Sequence, residues 1–243
     1  MRVDSRHPVL QAANRTPFVS GPSRPRQDPF MDRRHFLETL AAGLVASGSV
    51  LPTLQSVAGP LFAPVEKDEE GLTPLRRFFA VAIVSFPPKI DVENERLEIE
   101  GAVTAPFALG YDELPRWPQH TQESILRCVG GAEGRARWVG VRLRELLEKA
   151  GVAPDARDVI FYGADGYESS IPVGAAMKES SMLALQMNDE PLWSKHGSPV
   201  RLVLPGRYGY KQVKWLTRIE VTRKNHKGYW EKRGYSDDGR IKS

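Results

Sequence analysis

The first residue that could carry chemistry is Cys128, the only cysteine of the chain. It precedes Val129-Gly130-Gly131-Ala132-Glu133-Gly134, and glycines beside a thiol let a large group approach because they lack side chains. A thiolate binds soft or high-valent metals and also serves as a nucleophile. A lone cysteine is more often a small buried hydrophobic residue, and Cys128 taken alone favours that interpretation. One cysteine excludes a disulfide framework, iron–sulfur clusters and zinc sites with several thiolates.

Two later segments combine cations with glycine. His196 and Arg201 flank a turn before an apolar strand, and both side chains can donate hydrogen bonds to a phosphate or to an oxidised pterin edge. The alternative is a turn histidine and an edge-strand arginine, each solvated. Residues 207–215 cluster cations, glycine and aromatics, which is typical of a concave anion site, but they lack the spacing of a nucleotide-binding P-loop. The aromatic and charged segment 229–235 can equally pack the C-terminus onto the core.

Many short strands must position these residues. Alternating or β-branched runs predict strands at 96–103, 124–129, 158–162, 167–171, 182–187, 200–204 and 215–221, with the last strand closing the sheet. The leucines of Val141–Ala150 predict one helix that stops at Gly151, and Tyr111–Leu114 predicts a single turn before Pro115. The sequence therefore predicts an α+β domain with a mostly β, mixed-sheet core and short helices.

Composition and charge narrow the class of protein. The 243 residues are 41% hydrophobic and 26% charged, which indicates a globular chain of one large domain or two small ones. The net charge is +4 and the isoelectric point is about 9.2. Most of the excess positive charge lies in the leader. Residues 1–58 hold seven Lys/Arg against four Asp/Glu, which leaves 27 against 26 for the rest. We therefore expect no nucleic-acid function.

The leader predicts export. Asp32-Arg33-Arg34-His35-Phe36-Leu37 matches a twin-arginine signal, and an apolar run ends at Ser56-Val57-Ala58, where a signal peptidase could cleave. The alternative is a short amphipathic helix with a chance arginine pair. The predicted organisation is a leader at 1–58, with Met31 as an alternative start, a linker at 59–75 and one domain at 76–243. Because the twin-arginine route carries folded proteins, export favours a cofactor inserted before transport.

Taken in order, the segments resemble the molybdopterin domain of the sulfite oxidase family, in the pattern of its small, exported bacterial members. The resemblance covers about Phe78 to Tyr235. It is carried by Arg127-Cys128, Arg137-Trp138-Val139-Gly140-Val141, Ala164-Asp165-Gly166-Tyr167, Met187-Asn188, Glu190-Pro191-Leu192, His196-Gly197 with Pro199-Val200-Arg201, Pro205-Gly206, Val213-Lys214-Trp215-Leu216, Gly228-Tyr229-Trp230-Glu231 and Arg233-Gly234-Tyr235.

The resemblance implies a role for each matching position. Cys128 falls where the family's cysteine ligates molybdenum, and Tyr235 where a tyrosine lies near the metal-bound oxygen. Six residues fall where the family holds the pterin and its phosphate: Asp165, His196, Arg201, Gln212, Val213 and Lys214. The implied cofactor is molybdenum–molybdopterin, and a soft thiolate with cations around a phosphate forms a chemically coherent set.

Two departures concern the substrate. Sulfite-oxidising members place an arginine before the first strand, whereas residues 78–86 contain no cation, and the loop after Cys128 lacks the usual asparagine and paired arginines. Arg135 and Arg137 could lean in from further along. The chain ends soon after Tyr235, without room for the dimerisation domain of sulfite oxidases. One characterised branch of the small members reduces methionine sulfoxide in periplasmic proteins, using electrons from a membrane haem partner.

The resulting prediction is a periplasmic molybdopterin-dependent oxidoreductase that performs two-electron oxygen-atom transfer on a sulfoxide, another oxo compound or a sulfite-like oxyanion. The substrate is a small molecule or a protein sulfoxide, and the electrons go to or come from a separate carrier, a membrane haem protein or a soluble cytochrome. A leader that is retained would associate the protein with the membrane. Two alternatives stay open: a cysteine-nucleophile hydrolase or transferase with His120, His196 or His226 as base, and a non-catalytic cofactor-binding protein.

Overall fold

Two β-sheets carry nearly all the regular structure of residues 68–241, the part of the chain that the computed structural model describes. The strands within this part are β1 Arg96–Gly101, β2 Phe107–Gly110, β3 His120–Arg127, β4 Glu133–Arg142, β5 Asp158–Gly163, β6 Glu168–Pro172, β7 Met182–Met187, β8 Glu190–Pro191, β9 Arg201–Val203 and β10 Leu216–Thr222. The helices are α1 Leu143–Ala150 and α2 Val173–Ala176, with 3₁₀ turns at Leu114–Arg116, Ser194–His196, Gly209–Lys211 and Glu231–Arg233.

The first sheet has the strand order β2-β1-β10-β5-β6. Its β1 and β10 run parallel, with Ile99 opposite Ile219, while its other pairs are antiparallel. The second sheet has the order β3-β4-β7-β8, and β9 also pairs with β7. The predicted α+β class with a mostly β, mixed-sheet core is confirmed.

Helix α1 packs against the first of two hydrophobic clusters. Leu143, Leu146, Leu147 and Ala150 recur at helical spacing and are all fully buried. Burying a leucine side chain contributes roughly 1.5–3 kcal/mol, so this stripe is what makes an eight-residue helix stable. The helix ends at Gly151, which adopts a left-handed conformation with φ of 70°.

The hydrophobic pattern of the sequence does not predict strand β4, Glu133–Arg142. Its inward positions are Gly134, Ala136, Trp138 and Gly140, so the period-2 alternation of a strand is present but carried mostly by residues without hydrophobic bulk. The glycines are required by close packing: a Cβ on Gly140 would lie 2.0 Å from the carbonyl oxygen of Leu183.

Other differences from the expected elements are smaller. The predicted helix begins at Leu143 rather than at Val141, because residues up to Arg142 belong to β4. Strand β10 does not close a sheet, since it lies between β1 and β5. Strands β5, β6, β7 and β9 agree with prediction to within about one residue, and β3 begins four residues earlier than predicted.

The segment in front of β1 is packed onto the second sheet. Residues 68–75 belong to the predicted linker, yet Leu72, Thr73 and Leu75 are buried. The backbone N–H of Thr73 donates to the carbonyl oxygen of Arg135 on β4 at 2.8 Å, and the N–H of Arg135 donates to the Thr73 hydroxyl at 3.1 Å. The predicted leader, residues 1–58, lies outside the described residues. Within residues 68–241 no helix is long and apolar enough to cross a membrane.

Candidate active site

Cys128 occupies the tight turn that joins β3 to β4. Its backbone N–H donates to the carbonyl oxygen of Ala132 at 2.7 Å, and the N–H of Gly131 donates back to the Cys128 carbonyl at 3.0 Å. The residue is partly exposed, and Val129, Gly130 and Gly131 beside it are exposed. A Cβ added to Gly131 would meet nothing within 4 Å, so the space beside the turn is open. Cys128 is therefore not the buried hydrophobic residue that a lone cysteine usually is.

A second loop, residues 207–214, lies against the end of β3 and is here called the cofactor loop. Arg127 forms a parallel bridge with Tyr208, and a Cβ on Gly209 would lie 3.6 Å from the carbonyl oxygen of Arg127. The fold thus places the start of the cofactor loop one residue from Cys128.

His196, Arg201 and Lys214 converge on Gly197. A Cβ on Gly197 would lie 3.0 Å from the Cβ atoms of both Arg201 and Lys214. The guanidinium of Arg201 is stacked 5.1 Å from the Trp138 ring and donates to the carbonyl oxygen of His196 at 3.0 Å. Arg201 is only 3% exposed, and its buried Nε has no hydrogen-bond partner.

Lys214 and His196 are held by backbone carbonyls and aromatic rings. The ammonium of Lys214 donates to the carbonyl oxygen of Lys195 at 3.0 Å and lies 4.1 Å from the Trp215 ring centroid. The ring of His196 is 1% exposed and lies 3.4 Å from the carbonyl oxygen of Leu75. None of the three side chains has a carboxylate partner among the recorded ion pairs of residues 68–241.

The electrostatics of this cluster indicate a site built for an anion. Burial lowers the pKa of Lys214 to about 7, and the nearby charge of Arg201 adds to the effect. Burial also lowers the pKa of Arg201 to about 10 and that of His196 to about 4. Such shifts arise when cations are desolvated without enough negative charge to compensate them, and the Asp165 carboxylate opposes the Lys214 shift only in part. A phosphate among these groups would satisfy the free Nε of Arg201 and compensate the two cations, so the residues fit the phosphate end of a pterin cofactor.

Asp165 adjoins the cluster from the turn between β5 and β6. A Cβ on Gly163 would lie 2.6 Å from Asp165 Oδ1 and 2.7 Å from the carbonyl oxygen of Lys214. Burial raises the pKa of the Asp165 carboxyl, while hydrogen bonds such as the one from the N–H of Tyr167 at 3.1 Å oppose that shift. A carboxyl group in this position can accept from a pterin ring nitrogen.

Gln212 and Val213 can contact a cofactor only through their backbone. The Gln212 side chain accepts from the N–H of Leu204 at 3.2 Å and donates to the carbonyl oxygen of Arg207 at 3.0 Å, and the Val213 side chain is buried in the core. In residues 68–241 no hydrogen bond is recorded for the N–H of Val213 or of Lys214, so both can donate to a ligand. The next residue, Trp215, has a φ of 51°, a strained conformation for a bulky side chain.

Tyr235 lies within a row of aromatic rings that runs from Tyr208, the backbone partner of Arg127, to Trp230. Tyr208 stacks on Tyr210 with centroids 6.3 Å apart, Tyr210 packs edge-on against Tyr235 at 5.3 Å, and Tyr235 contacts Trp230 at 5.0 Å. No direct contact between Tyr235 and Cys128 is recorded. Sequence reasoning counts Tyr208 and Tyr210 among the aromatics of residues 207–215 but assigns neither of them a role of its own.

The expectation that Arg135 or Arg137 leans toward Cys128 was wrong. Arg135 donates to Glu123 at 3.0 Å, and Arg137 is bound to Glu70 at 2.6 Å and to Asp189 at 2.9 Å. Both arginines occupy the outward positions of β4, opposite the face that buries Trp138. Arg127 beside Cys128 is likewise paired, with Glu133 at 2.8 Å.

The geometry also disfavours a cysteine nucleophile. His120 begins β3 while Cys128 follows its end, so the length of the strand separates them by roughly 25 Å. His120 is bound to Glu145 at 2.7 Å, His226 lies 3.2 Å from Glu168, and His196 faces Leu75. Within the described part of the chain no histidine has a recorded contact with Cys128, and no cluster of three or more His, Cys, Asp or Glu side chains could hold a metal.

Comparison with known families agrees with this site. The model of the oxidoreductase molybdopterin binding domain matches residues 84–230, more than half of the chain. The chain therefore belongs to the molybdopterin-binding oxidoreductase family, and it is a molybdenum-cofactor-dependent oxidoreductase of the sulfite oxidase type.

The relatives differ in how much of their length is shared. The chain is 36% identical over 146 residues to the uncharacterized oxidoreductase YuiH of Bacillus subtilis, which is 60% of this chain and 74% of that one. It is 36% identical to the mitochondrial sulfite oxidase of Drosophila melanogaster over 61% of this chain, but it spans only 30% of that enzyme. It is 28% identical to the catalytic subunit MsrP of the protein-methionine-sulfoxide reductase of Campylobacter jejuni, over 86% of this chain and 80% of MsrP.

A solved structure shows the same fold. The crystal structure of the sulfane dehydrogenase SoxCD from Paracoccus pantotrophus superimposes with a TM-score of 0.62 and 25% identity, covering 84% of this chain and 56% of the SoxCD chain. This confirms the predicted fold type.

Proposed function

We propose that the protein is an exported reductase of sulfoxides, in which oxygen-atom transfer takes place beside Cys128. The reaction consumes two electrons and two protons and converts a sulfoxide to a thioether and water. The observation that carries the proposal is the charge around Cys128. The nearby Arg127 and the two candidate arginines of β4 are all bound to carboxylates. None of these three arginines is free to bind a doubly charged oxyanion such as sulfite, whereas a sulfoxide carries no net charge and needs no such partner.

The aromatic row supports the same class of substrate. The rings of Tyr208, Tyr210 and Tyr235 form a wall, and the backbone of Tyr208 pairs with that of Arg127, the residue before Cys128. Sulfur in thioethers makes favourable contacts with aromatic rings, so such a wall suits the thioether product as well as the sulfoxide. The similarity to MsrP over most of both chains adds independent support.

Each proposed site residue has a distinct task. When bound, the molybdenum cofactor supplies a metal that exchanges an oxygen atom and two electrons with the substrate. Cys128 holds the metal through its thiolate. Arg201, Lys214 and the free N–H groups of the cofactor loop hold the phosphate, and His196, which is neutral near pH 7 because its pKa lies at about 4, contributes a hydrogen bond without adding charge. The phenol of Tyr235 donates to the substrate oxygen, where negative charge develops.

The proposal extends to location and partner. The twin-arginine leader supports export to the periplasm, with membrane association if the leader is retained, and a separate carrier, a membrane haem protein or a soluble cytochrome, supplies the electrons. In support, Azospira oryzae YedZ1, named a putative protein-methionine-sulfoxide reductase subunit, is 34% identical to this chain over 61% of it. Replacing Arg33 and Arg34 with lysine should leave the protein in the cytoplasm, and unchanged periplasmic recovery would refute the export route.

The test compares two reactions in the same holoenzyme. We expect the purified protein to reduce methionine sulfoxide in a peptide with a reduced viologen dye, and to oxidise sulfite with ferricyanide at least about 100-fold less efficiently, because an unpaired ion costs several kcal/mol to desolvate. A Cys128→Ser variant should lose molybdenum and both reactions, while Val129→Ser in the same turn should keep them. Sulfite turnover equal to sulfoxide turnover would refute the assignment of substrate class.

A further inference from the structure

A buried ion pair joins the cofactor loop to the end of the chain. The ammonium of Lys211 donates to Glu231 Oε1, and both side chains are completely inaccessible to solvent. Ser169 on β6 donates to the same carboxylate oxygen at 2.6 Å, while Glu231 Oε2 is buried without a partner. Desolvation lowers the pKa of Lys211, which the charge of Glu231 opposes. A pair with an unsatisfied oxygen is poorly suited to provide stability, since apolar residues of similar size would fill the space without that penalty.

The position of the pair shows what it connects. Lys211 ends the 3₁₀ turn of the cofactor loop, between the aromatic pair Tyr208 and Tyr210 and the phosphate-binding Lys214. Glu231 begins the 3₁₀ turn that leads to Tyr235. The segment 228–241, here called the C-terminal tail, therefore meets the cofactor loop at this pair.

The tail has no other buried side chain. Of its residues only Gly228, Glu231 and Gly239 are buried, and the two glycines have no side chain. The other links to the cofactor loop are the edge-on ring contact between Tyr235 and Tyr210 and three polar contacts: Tyr208 N–H to the Gly239 carbonyl at 2.8 Å, the Tyr210 hydroxyl to the Ser236 carbonyl at 2.7 Å, and Arg207 to Asp238 at 2.7 Å. The one buried side chain of the tail is thus a carboxylate, which can be satisfied only where a buried cation meets it.

We infer that Lys211 and Glu231 are positioning residues, and that their ion pair fixes the register of the C-terminal tail on the cofactor loop so that Tyr235 faces the site beside Cys128. The inference rests on the proposed role of Tyr235. An apolar anchor would hold the tail in several neighbouring positions, whereas a charge pair in a dry interior holds it in one.

The test distinguishes an effect on the position of the C-terminal tail from an effect on the stability of the whole fold. In Lys211→Met/Glu231→Leu both charges are removed together, so we expect a melting temperature within about 4 °C of the wild type, because paired apolar replacement of a buried ion pair is close to neutral. Hydrogen exchange of the N–H groups of Arg233, Gly234 and Tyr235, which bond to carbonyls in the same turn, should accelerate at least about tenfold as the tail loosens. The kcat for sulfoxide should fall about tenfold in the molybdenum-loaded fraction.

Lys232→Met is the matched control, because it removes an exposed ion pair with Glu168 from the same turn and should change neither exchange nor kcat. The inference is overturned if the double variant keeps wild-type exchange and kcat. It is also overturned if the double variant does not fold, since the pair would then serve the whole fold rather than the tail. Hydrogen exchange needs no substrate, so a wild-type protein that reduces no sulfoxide refutes the proposed function without deciding the exchange result.

Discussion

Replacement of Lys214 by methionine should stabilise the cofactor-free protein and weaken its hold on the cofactor. Burial lowers the pKa of this ammonium from 10.5 to about 7. At about 1.36 kcal/mol for each tenfold change in proton affinity, the shift corresponds to roughly 5 kcal/mol of unfavourable free energy for keeping the charged form in the folded state. Methionine preserves the aliphatic stem over Trp215 but loses the hydrogen bond to Lys195 and the contact between cation and ring.

The net gain is smaller than the shift alone suggests. The lost hydrogen bond and ring contact together offset about 2–3 kcal/mol, so we expect the cofactor-free variant to be about 2 kcal/mol more stable at pH 7. For a domain of this size that is a rise of about 4–8 °C in melting temperature. Loss of one charge-assisted hydrogen bond to the phosphate should weaken cofactor binding by about 10- to 100-fold.

The depressed pKa of Lys214 also predicts how the stability of the cofactor-free protein changes with pH. The folded protein releases the Lys214 proton near pH 7 and the unfolded chain near pH 10.5, so between these values the unfolded state binds more protons. The stability of the cofactor-free wild type should therefore rise with pH from 7 to 10, and this slope should be absent in Lys214→Met.

The assay is thermal unfolding of protein from a host that cannot make molybdopterin, together with metal analysis of protein from a competent host. Lys195→Met is the control, because its ammonium lies over Trp193 at the rim of the site and should leave both the melting temperature and the pH slope unchanged. The reasoning is refuted if the cofactor-free Lys214→Met protein melts below the wild type at pH 7 or keeps the rise of stability with pH. Either result would show that burying the Lys214 ammonium does not destabilise the folded protein.

Three further outcomes follow from single contacts. Gly140→Ala should destabilise the protein by about 3 kcal/mol in denaturant unfolding, because its Cβ would lie 2.0 Å from the Leu183 carbonyl. The control Gly130→Ala should change the free energy of unfolding little, because its Cβ would meet only Cys128 Sγ at 4.0 Å. Equal effects of the two substitutions would contradict the packing of β4 on β7. Tyr235→Phe should keep the ring contact with Trp230 and the melting temperature but lower kcat for sulfoxide about 10- to 100-fold, and an unchanged kcat would remove the phenol from the mechanism. Arg135→Gln should leave turnover within about twofold of the wild type, since its guanidinium is bound to exposed Glu123; a large loss of sulfite or sulfoxide turnover would mean that this arginine reaches the substrate.

The sequence predicts elements well where one kind of periodicity is carried by bulky residues. Strand β7, Met182–Met187, is an apolar run interrupted only by Gln186, and its bounds agree with the prediction to the residue. Strand β4 has a regular alternation too, but its inward positions are held by Gly134, Ala136 and Gly140 beside a single Trp138, so no hydrophobic pattern marks it. The small residues are there because the Leu183 backbone and the Phe78 ring approach too closely for a side chain. This information lies in the neighbouring segments and not in β4 itself.

At the candidate site, the sequence also cannot predict which cations are paired with carboxylates. Residues 207–215 contain Arg207, Lys211 and Lys214, which the sequence alone presents as equivalent cations of an anion site. In the structure Arg207 is bound to Asp238 and Lys211 to Glu231, and only Lys214 has no carboxylate partner. The partners come from the C-terminal tail, about 20–30 residues away, so local spacing cannot distinguish the three.

The same distinction underlies the proposed substrate class. A sequence comparison can register that residues 78–86 carry no arginine, but it cannot tell whether an arginine elsewhere replaces it. Arg127, Arg135 and Arg137 each come close enough in sequence to do so, and each is instead neutralised by a glutamate or aspartate within 3.0 Å. Because the carboxylates offset the charge of these arginines, the arginines offer a substrate anion less net attraction than unpaired ones would. Under the proposed function, Arg201 and Lys214 hold the phosphate, and a substrate without net charge needs no free arginine beside Cys128.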